Sequence, residues 1–187
     1  MLAEGVAING RPGPTALPLL TGQNTEQHAY LLPGQAIGYS DLMKCGCVLP
    51  NLFVGPAPTD EADFKQSQLM KITAILSLQT EEDVVTGLET CRRAASQRGL
   101  TLYNAPVVDF DRADLGRKLR DCVELLNNLL ENGDVVYLHC TAGVSRSPTV
   151  AAAFLHWKQG WTLDEAITRL MTVRNCCPDA EIIQINK

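Results

Sequence analysis

The ten residues from His139 to Pro148 read His-Cys-Thr-Ala-Gly-Val-Ser-Arg-Ser-Pro and combine a cysteine with glycine, arginine and serine. Five residues separate Cys140 from Arg146, which allows a tight loop whose backbone N–H groups point inward, and Gly143 relieves the φ constraint of such a loop. A ring of amides at a helix N-terminus binds anions. Because a guanidinium can hold two phosphoryl oxygens at once, the stretch indicates a cysteine nucleophile facing a bound phosphoryl group.

Cys140 would react as the thiolate, because a thiol with an ordinary pKa of about 8.5 is mostly protonated at neutral pH. Inward amides, the dipole of the following helix and nearby Arg146 all favour the anion, so we expect the pKa of this thiol to lie several units lower. Ser147 can donate a hydrogen bond to the sulfur when it leaves. A buried structural cysteine beside a surface arginine is the alternative, and it explains the combination less well.

The elements around this stretch predict an α/β fold. Short apolar runs predict strands, and segments with a period of 3.6 residues or with N-cap residues predict helices. Strands are expected at 52–55, 72–78, 102–108 and 135–138, and helices after Thr59, over 88–98, from the cap Asp114 to Gly133, over 147–159, after Thr162 and after Asp179. The alternation favours a central, mostly parallel sheet of about four to five strands flanked by helices, with ligands at the carboxyl ends of its strands.

The helix after Asp114 has the clearest pattern. Seven apolar side chains fall on one face of a 3.6-residue period, which predicts a stripe packed on the sheet. They are Leu115, Leu119, Cys122, Val123, Leu126, Leu129 and Leu130.

The segment His139–Ser147 matches H-C-x5-R-S and so resembles the signature of the cysteine-dependent phosphatases. The continuation Ser-Arg-Ser-Pro resembles the dual-specificity branch, over about residues 48 to 185. The resemblance implies that fold, a phosphocysteine intermediate, no metal or other cofactor, and His139 as a supporting residue that orders the loop. It also implies that the substrate phosphate is bound by the loop residues Thr141, Ala142, Gly143, Val144 and Ser145.

The same family uses a general acid on a mobile loop about thirty residues before the cysteine. Asp109 and Asp111 are the two candidates. Relatives place the acid five residues before an Asp-Leu pair that opens the next helix, which favours Asp109 over Asp111 because Asp114 and Leu115 form that pair. Asp109 would protonate the leaving oxygen and then take a proton from the attacking water. Asp111 is better interpreted as a solvated carboxylate or a helix cap.

Two substrate classes remain open. Ser145 before Arg146 is typical of protein-directed members, so we favour a phosphoprotein substrate. Residues 78–83, 109–111 and the Cys-Thr-Ala-Gly run resemble the starch-excess type of glucan phosphatase, in which Phe110 would stack on sugar. That group has an aromatic pair where Val84-Val85-Thr86 stands here. An inactive phosphate-binding module is a third reading, which the presence of every expected reactive residue disfavours.

Composition excludes several other classes of protein. The chain has 187 residues, a net charge of −5 and a pI of about 5.2, which disfavours nucleic-acid or membrane-surface binding. It contains no apolar run of membrane-spanning length and no export or transit signal. We therefore expect a cytoplasmic monomer.

Cysteine content and glycine and proline distribution complete the prediction. Seven cysteines at irregular spacings predict mostly buried thiols in a reducing compartment, rather than a disulfide framework or a metal site. Residues 1–38 are rich in glycine and proline and show no periodicity, which predicts an irregular N-terminal extension. Residues 39–187 would form the catalytic domain.

Overall fold

A computed structural model describes residues 45–58 and 61–187. The predicted extension at 1–38, the boundary at residue 39 and the predicted cap Thr59 lie outside this part of the chain. Within it, five strands alternate with six helices. The strands are β1 Gly46–Leu49, β2 Leu52–Gly55, β3 Ala74–Ser77, β4 Thr101–Asn104 and β5 Val136–His139. The helices are α1 Glu61–Leu69, α2 Leu88–Ser96, α3 Arg112–Glu131, α4 Arg146–Trp157, α5 Leu163–Val173 and α6 Ala180–Ile185.

The strands form one sheet in the order β1-β2-β5-β3-β4. Strands β2, β5, β3 and β4 run parallel, and β1 pairs antiparallel with β2. The central strand β5 is buried along its whole length, as its apolar sequence predicts. The expected mostly parallel sheet is confirmed. His139, at the end of β5, lies level with Gly55 on one side and Ser77 on the other.

Alternate residues of the strands form two hydrophobic cores, one on each face of the sheet. Leu76 and Leu138 belong to the larger core, which also contains buried side chains of α3, α4, α5 and α6. Ile75 and Tyr137 point to the opposite face, where they pack with side chains of α1 and α2. The stripe predicted for α3 is confirmed, because six of its seven members are buried and Leu130 is half-buried against them.

The predicted cap of α3 is wrong by three residues. Asp111 is the N-cap, and its Oδ1 accepts the backbone N–H of Asp114 at 2.9 Å. Asp114 lies in the first turn, where its buried carboxylate accepts the backbone N–H of Val108 and the side chain of Lys118, both at 2.9 Å. The hydrogen bond from Val108 is the main reason why the pKa of Asp114 is lowered. The carboxylate predicted to cap the helix therefore holds the preceding loop instead.

Strand β1 was not predicted, because its four residues begin at a glycine and show no long alternation. Packing from a distant helix explains why it forms. Arg169 on α5 donates from Nε to the carbonyl of Val48 at 3.0 Å and from Nη2 to the carbonyl of Cys47 at 2.8 Å. A side chain at Gly46 would place its Cβ 2.7 Å from Cγ2 of Val173, so only glycine permits this close approach.

Within the described part of the chain, no helix is both long and apolar enough to cross a membrane. The seven cysteines are all free thiols. Cys122, Cys140 and Cys176 are buried, whereas Cys177 is exposed.

Candidate active site

The loop of residues 140–146 connects the carboxyl end of β5 to the start of α4. Cys140 is 3% exposed, and helix α4 begins at Arg146. Gly143 has a φ of +65°, and a Cβ at this position would lie 2.3 Å from the carbonyl oxygen of Gly55. Both the backbone conformation and the close contact require glycine. The strand–loop–helix arrangement expected from the sequence is present.

The carbonyl groups of the 140–146 loop all face outward and are paired. Each carbonyl oxygen from residue 140 to residue 145 accepts a hydrogen bond from a donor outside residues 140–145. The donors, in chain order, are His139 Nδ1 at 3.1 Å, Ala57 N at 3.0 Å, Arg174 Nη2 at 2.7 Å, Arg174 Nε at 2.6 Å, Cys177 N at 2.8 Å and Thr149 N at 2.9 Å.

This pairing fixes the direction of the loop amides. In a planar trans peptide the N–H points opposite to the C=O, so outward carbonyls turn the following amides toward the inside of the loop. No N–H of residues 141–145 donates to another residue in the part of the chain that the structure describes. The result is a ring of amides with capacity for an anion next to Cys140.

Cys140 and Ser147 lie within hydrogen-bond distance inside the protein. Ser147 Oγ is 3.4 Å from Cys140 Sγ, and the Ser147 side chain is fully buried. Burial raises the pKa of Cys45 to about 11 and that of Cys122 to about 12, which keeps those thiols protonated. Neither of them stands in a ring of amides. The low pKa expected for the Cys140 thiol stays a prediction.

His139 lies behind the loop and is uncharged. Its burial lowers the pKa to about 4. Nδ1 is 3.1 Å from the carbonyl oxygen of Cys140. Because a carbonyl can only accept, Nδ1 carries the hydrogen of the neutral ring. The arrangement is consistent with a residue that orders the loop.

Arg146 is 4% exposed and is held by several partners. Nη1 donates to Asp83 Oδ2 at 2.8 Å and to the carbonyl of Val107 at 2.7 Å. Nη2 donates to Thr141 Oγ1 at 3.1 Å and pairs with Asp109 Oδ2 at 2.8 Å. Nε is buried and has no hydrogen-bond partner among the described residues. Since a buried unpaired donor is costly, this nitrogen indicates a ligand acceptor on that side of the guanidinium.

The structure brings Asp109 to the site, on the loop of residues 105–111 between β4 and α3. Its side chain is 35% exposed and reaches Arg146, and its Oδ1 accepts the backbone N–H of Phe110 at 3.1 Å. Phe110 has a φ of +59° and is 98% exposed. A strained backbone that presents a bare aromatic ring is typical of a functional position. Asp111 is instead the cap of α3.

Two supporting residues in the segment that follows β3 were not predicted from the sequence. Asp83 holds Arg146, as described above, and Gln79 Nε2 donates to Thr141 Oγ1 at 3.2 Å. Burial of Asp83 acts to raise its pKa, but the hydrogen bonds from Arg146 and from the backbone of Thr80 outweigh this and lower it. Gln79 and Asp83 follow β3, the strand that pairs with β5, and this position in the sequence could have identified them as candidates.

Arg174 was also missed, since nothing in its sequence context distinguishes it from a surface arginine. It follows α5 and supplies two of the donors to the loop carbonyls. The remaining predicted binding residues lie on the loop, with Ala142, Val144 and Ser145 exposed.

Comparison with known proteins agrees with this site. The family model for the dual specificity phosphatase catalytic domain matches residues 52–184. Laforin of Mus musculus is 30% identical over 141 residues, which are 68% of this chain and 43% of laforin. Phosphoglucan phosphatase DSP4, amyloplastic, of Castanea sativa is 31% identical over 73% of this chain and 38% of its own length. Dual specificity protein phosphatase 12 of Mus musculus is 31% identical over 72% of this chain and 37% of its own length.

This chain thus spans less than half the length of these relatives. Solved structures share the fold. Tk-PTP in the active form superposes with a TM-score of 0.65 at 18% identity, covering 76% of this chain and 95% of Tk-PTP. PTPMT1 gives a TM-score of 0.60 at 21% identity, covering 76% of this chain and 91% of PTPMT1.

The family model matches most of the described residues. The match includes the 140–146 loop and the two carboxylates that bind Arg146, those of Asp83 and Asp109. The chain therefore belongs to the dual-specificity phosphatase family.

Proposed function

We propose that this chain hydrolyses phosphate monoesters through a phosphocysteine intermediate. The proposal rests on the 140–146 loop, whose carbonyl groups are hydrogen-bonded on the outer side so that its amides point inward around Cys140. Beside them Arg146 presents a buried Nε that has no partner among the described residues. The five inward amides of residues 141–145 and one guanidinium match the oxygens of a phosphoryl group. The proposed reaction uses side chains, backbone amides and water, and so it requires neither a metal nor another cofactor.

In the first step the Cys140 thiolate attacks phosphorus, forming the S–P bond while the ester P–O bond breaks. Asp109 gives its proton to the leaving oxygen, which departs as an alcohol or phenol. The ion pair of Asp109 with the guanidinium that would hold the phosphoryl oxygens, at 2.8 Å, supports this role. Amides and Arg146 stabilise the charge on the equatorial oxygens.

In the second step a water molecule attacks the phosphocysteine. Asp109 accepts a proton from the water, the S–P bond breaks, and inorganic phosphate and the thiolate result. Ser147 Oγ, 3.4 Å from the sulfur, donates a hydrogen bond to the departing thiolate. His139 keeps the loop in place through the Cys140 carbonyl, and it moves no proton in this scheme.

A phosphoprotein is the substrate class that we favour, in a cytoplasmic, monomeric enzyme. Among the described residues, Phe110 is the single aromatic side chain that is fully exposed, whereas Trp157 and Trp161 pack against the core. A glucan chain is usually held by several stacked aromatic rings, and the described surface offers one. The exposed apolar residues Val108 and Val144 suit the side chains that flank a phosphorylated residue.

A phosphoglucan is the second candidate. The exposed ring of Phe110 beside Asp109 is the observation that favours it. A relative named as a phosphoglucan phosphatase is 31% identical to this chain.

Hydrolysis of p-nitrophenyl phosphate tests the activity. We expect the wild-type protein to turn over this substrate, and Cys140→Ser to lower the rate by about 10⁴-fold or more, because a hydroxyl is a far weaker nucleophile. Mass spectrometry after acid quench should find phosphate on Cys140. The control Cys91→Ser, on helix α2, should keep full activity. A wild-type protein that binds phosphate without turnover would instead identify a binding module.

Phosphate release from a phosphotyrosyl peptide and from amylopectin separates the two substrate classes. We expect faster release from the peptide. Phe110→Ala should then affect the peptide and p-nitrophenyl phosphate by a similar factor. A selective loss of amylopectin dephosphorylation in this variant, with amylopectin the better substrate of the wild type, would establish the glucan alternative.

A further inference from the structure

The segment that follows α5 runs along the outer side of the 140–146 loop. Arg174 donates to the carbonyls of Ala142 and Gly143, and three residues further on Cys177 N donates to the carbonyl of Val144 at 2.8 Å. Asp179 N donates to Thr149 Oγ1 at 2.9 Å, and that hydroxyl donates to the Ser145 carbonyl at 2.8 Å. Four consecutive loop carbonyls, residues 142–145, are thus held directly or through Thr149 by residues 174–179.

We propose that Arg174 is a positioning residue that holds the 140–146 loop in its phosphate-binding conformation, an inference that rests on the proposed function of that loop. The Arg174 side chain donates to the carbonyls of Ala142 and Gly143. It binds the outer side, where it keeps two carbonyls turned away from the anion site so that the amides following them face into it.

Arginine is suited to this task by shape and by charge. Nε and Nη2 lie on one edge of the planar guanidinium, so they reach two adjacent carbonyl oxygens at 2.6 and 2.7 Å. Outward carbonyls of consecutive residues bring several negative dipole ends together, and a cation at that place offsets their repulsion. A lysine supplies the charge from a single nitrogen and cannot reproduce the paired geometry.

Contact distances show that the guanidinium and the loop fit closely. A Cβ added to Gly143 would lie 2.7 Å from Arg174 Nη2. Arg174 itself leaves α5 with φ −155° and ψ 144°, and its backbone N–H still donates to the carbonyl of Leu170. The end of α5 therefore fixes the position of the Arg174 backbone, and the two loop carbonyls fix the position of its guanidinium.

Loss of this contact should affect binding and turnover more than folding. Without the two donors, the peptides after Ala142 and Gly143 can rotate and take their amides away from the phosphoryl oxygens. A displacement of about 1 Å in a catalytic site can cost on the order of 100-fold in rate. The inference therefore predicts that Arg174 sets phosphate affinity although it does not touch phosphate.

Arg169, on the helix α5 that Arg174 follows, offers a matched control. It also donates from Nε and Nη2 to two consecutive backbone carbonyls, those of Val48 and Cys47, at 3.0 and 2.8 Å. Those carbonyls belong to β1, at the edge of the sheet. Replacing either arginine removes the same kind of contact, but only the contact of Arg174 involves the 140–146 loop.

The experiment compares Arg174→Gln and Arg174→Lys with Arg169→Gln and Arg169→Lys in the full chain. Steady-state kinetics with p-nitrophenyl phosphate, the dissociation constant for inorganic phosphate by calorimetry, and the thermal midpoint are measured for each. Arg174→Gln should lower kcat/KM by about 10- to 100-fold and weaken phosphate binding by about tenfold. Arg174→Lys should recover part of the phosphate affinity, since it restores the charge without the fork.

Both Arg169 variants should lower the thermal midpoint as much as the Arg174 variants do, with phosphate affinity and kcat/KM within about threefold of wild type. Equal kinetic losses at the two positions would overturn the proposal, because they would indicate general destabilisation. Unchanged phosphate affinity in folded Arg174→Lys would also overturn the proposal. Because lysine keeps the charge, this variant provides the test if Arg174→Gln does not fold.

Phosphate binding, measured by calorimetry, tests the role of Arg174 independently of catalytic turnover. If the wild type binds phosphate but does not hydrolyse esters, the proposed activity fails while the phosphate affinities still test Arg174. If turnover is normal and the Arg174 variants bind phosphate as the wild type does, the positioning role fails alone.

Discussion

The two loops that meet at Arg146 are held in different ways. In the 140–146 loop every carbonyl from 140 to 145 is paired with a donor outside those residues, and Cys140 and Arg146 are buried. In the 105–111 loop, Val107 N and Val108 N are bonded to Leu78 and Asp114, but at the tip Asp109 is partly exposed and Phe110 is fully exposed. The tip contacts the site through the ion pair of Asp109 with Arg146.

The difference between the two loops suits two different tasks, phosphate binding and proton transfer. The proposed anion site is set before substrate arrives, so binding a phosphoryl group would require little reorganisation of the backbone. The proposed acid, Asp109, is in contrast positioned by the same guanidinium that would bind phosphoryl oxygens. Substrate must therefore compete with Asp109 for Arg146, and the exposed tip gives Asp109 the freedom to shift toward the leaving oxygen.

Asp109→Asn is expected to have the largest effect on turnover. The amide cannot donate a proton to the leaving oxygen in the way a carboxylic acid does, so kcat should fall by about 10²–10⁴-fold. KM should stay equal or decrease, because the neutral amide competes less well for Arg146. Steady-state kinetics with p-nitrophenyl phosphate across pH 5 to 8 check both effects.

Asp111→Asn is the matched control, because asparagine caps helices as well as aspartate does. It should keep kcat within about threefold of wild type. A large loss at Asp111 with normal turnover of Asp109→Asn would move the acid role to Asp111 and reverse the comparison of the loops.

Gly143→Ala should have the next largest effect, because it disturbs the rigid loop. Its Cβ would lie 2.3 Å from the Gly55 carbonyl at a φ of +65°, and strain of about 1–3 kcal/mol corresponds to roughly 10- to 100-fold in kcat/KM. Gly133→Ala is the control, since Gly133 also has a positive φ but has open space around it. Equal activity of the two variants would show that the 140–146 loop tolerates movement.

Several features were predictable from sequence because they depend on neighbouring residues. The strand–loop–helix around Cys140, the helix that begins after Thr162 and the apolar stripe of α3 all follow from local patterns. Asp109 was chosen as the candidate acid through a family spacing, and the structure pairs it with Arg146 at 2.8 Å.

The missed features depend on contacts between distant parts of the chain. Strand β1 forms because Arg169, more than a hundred residues away, binds its carbonyls. Arg174 has no motif of its own, and its role depends on where α5 ends relative to β5. The cap of α3 was misplaced because Asp111 and Asp114 are both good N-cap residues, and only the buried contact with Val108 distinguishes them.

Asp83→Asn should have a smaller effect than the two preceding changes. It tests whether the two carboxylates that bind Arg146, those of Asp83 and Asp109, have different roles. Asp83 holds Nη1 at 2.8 Å and is mostly buried, so it orients the guanidinium rather than competing for it. A charged hydrogen bond of this kind contributes about 1.5–3 kcal/mol, and losing part of it should raise KM for p-nitrophenyl phosphate about tenfold with little change in kcat. This is the opposite of the kcat effect at Asp109.

The exposed neighbour Glu82, changed to Gln, is the control for Asp83 and should leave KM unchanged. If Asp83→Asn instead lowers KM, both carboxylates compete with phosphate, and the distinction between an anchoring and a competing partner is wrong.

His139→Asn should have the smallest effect on rate at pH 7, yet it tests what holds the 140–146 loop. Burial lowers the pKa of His139 to about 4 from 6.5, so between these values the unfolded chain binds the proton and the folded protein does not. Stability from the neutral ring is therefore present above about pH 6.5 and is lost as pH falls toward 4, by up to about 3 kcal/mol.

In the His139→Asn variant, asparagine keeps a donor for the Cys140 carbonyl but does not titrate. Urea unfolding at pH 7 and pH 4.5 should show that the variant loses about 2–3 kcal/mol less on acidification than the wild type. Equal losses in both proteins would mean that His139 does not stay neutral behind the loop.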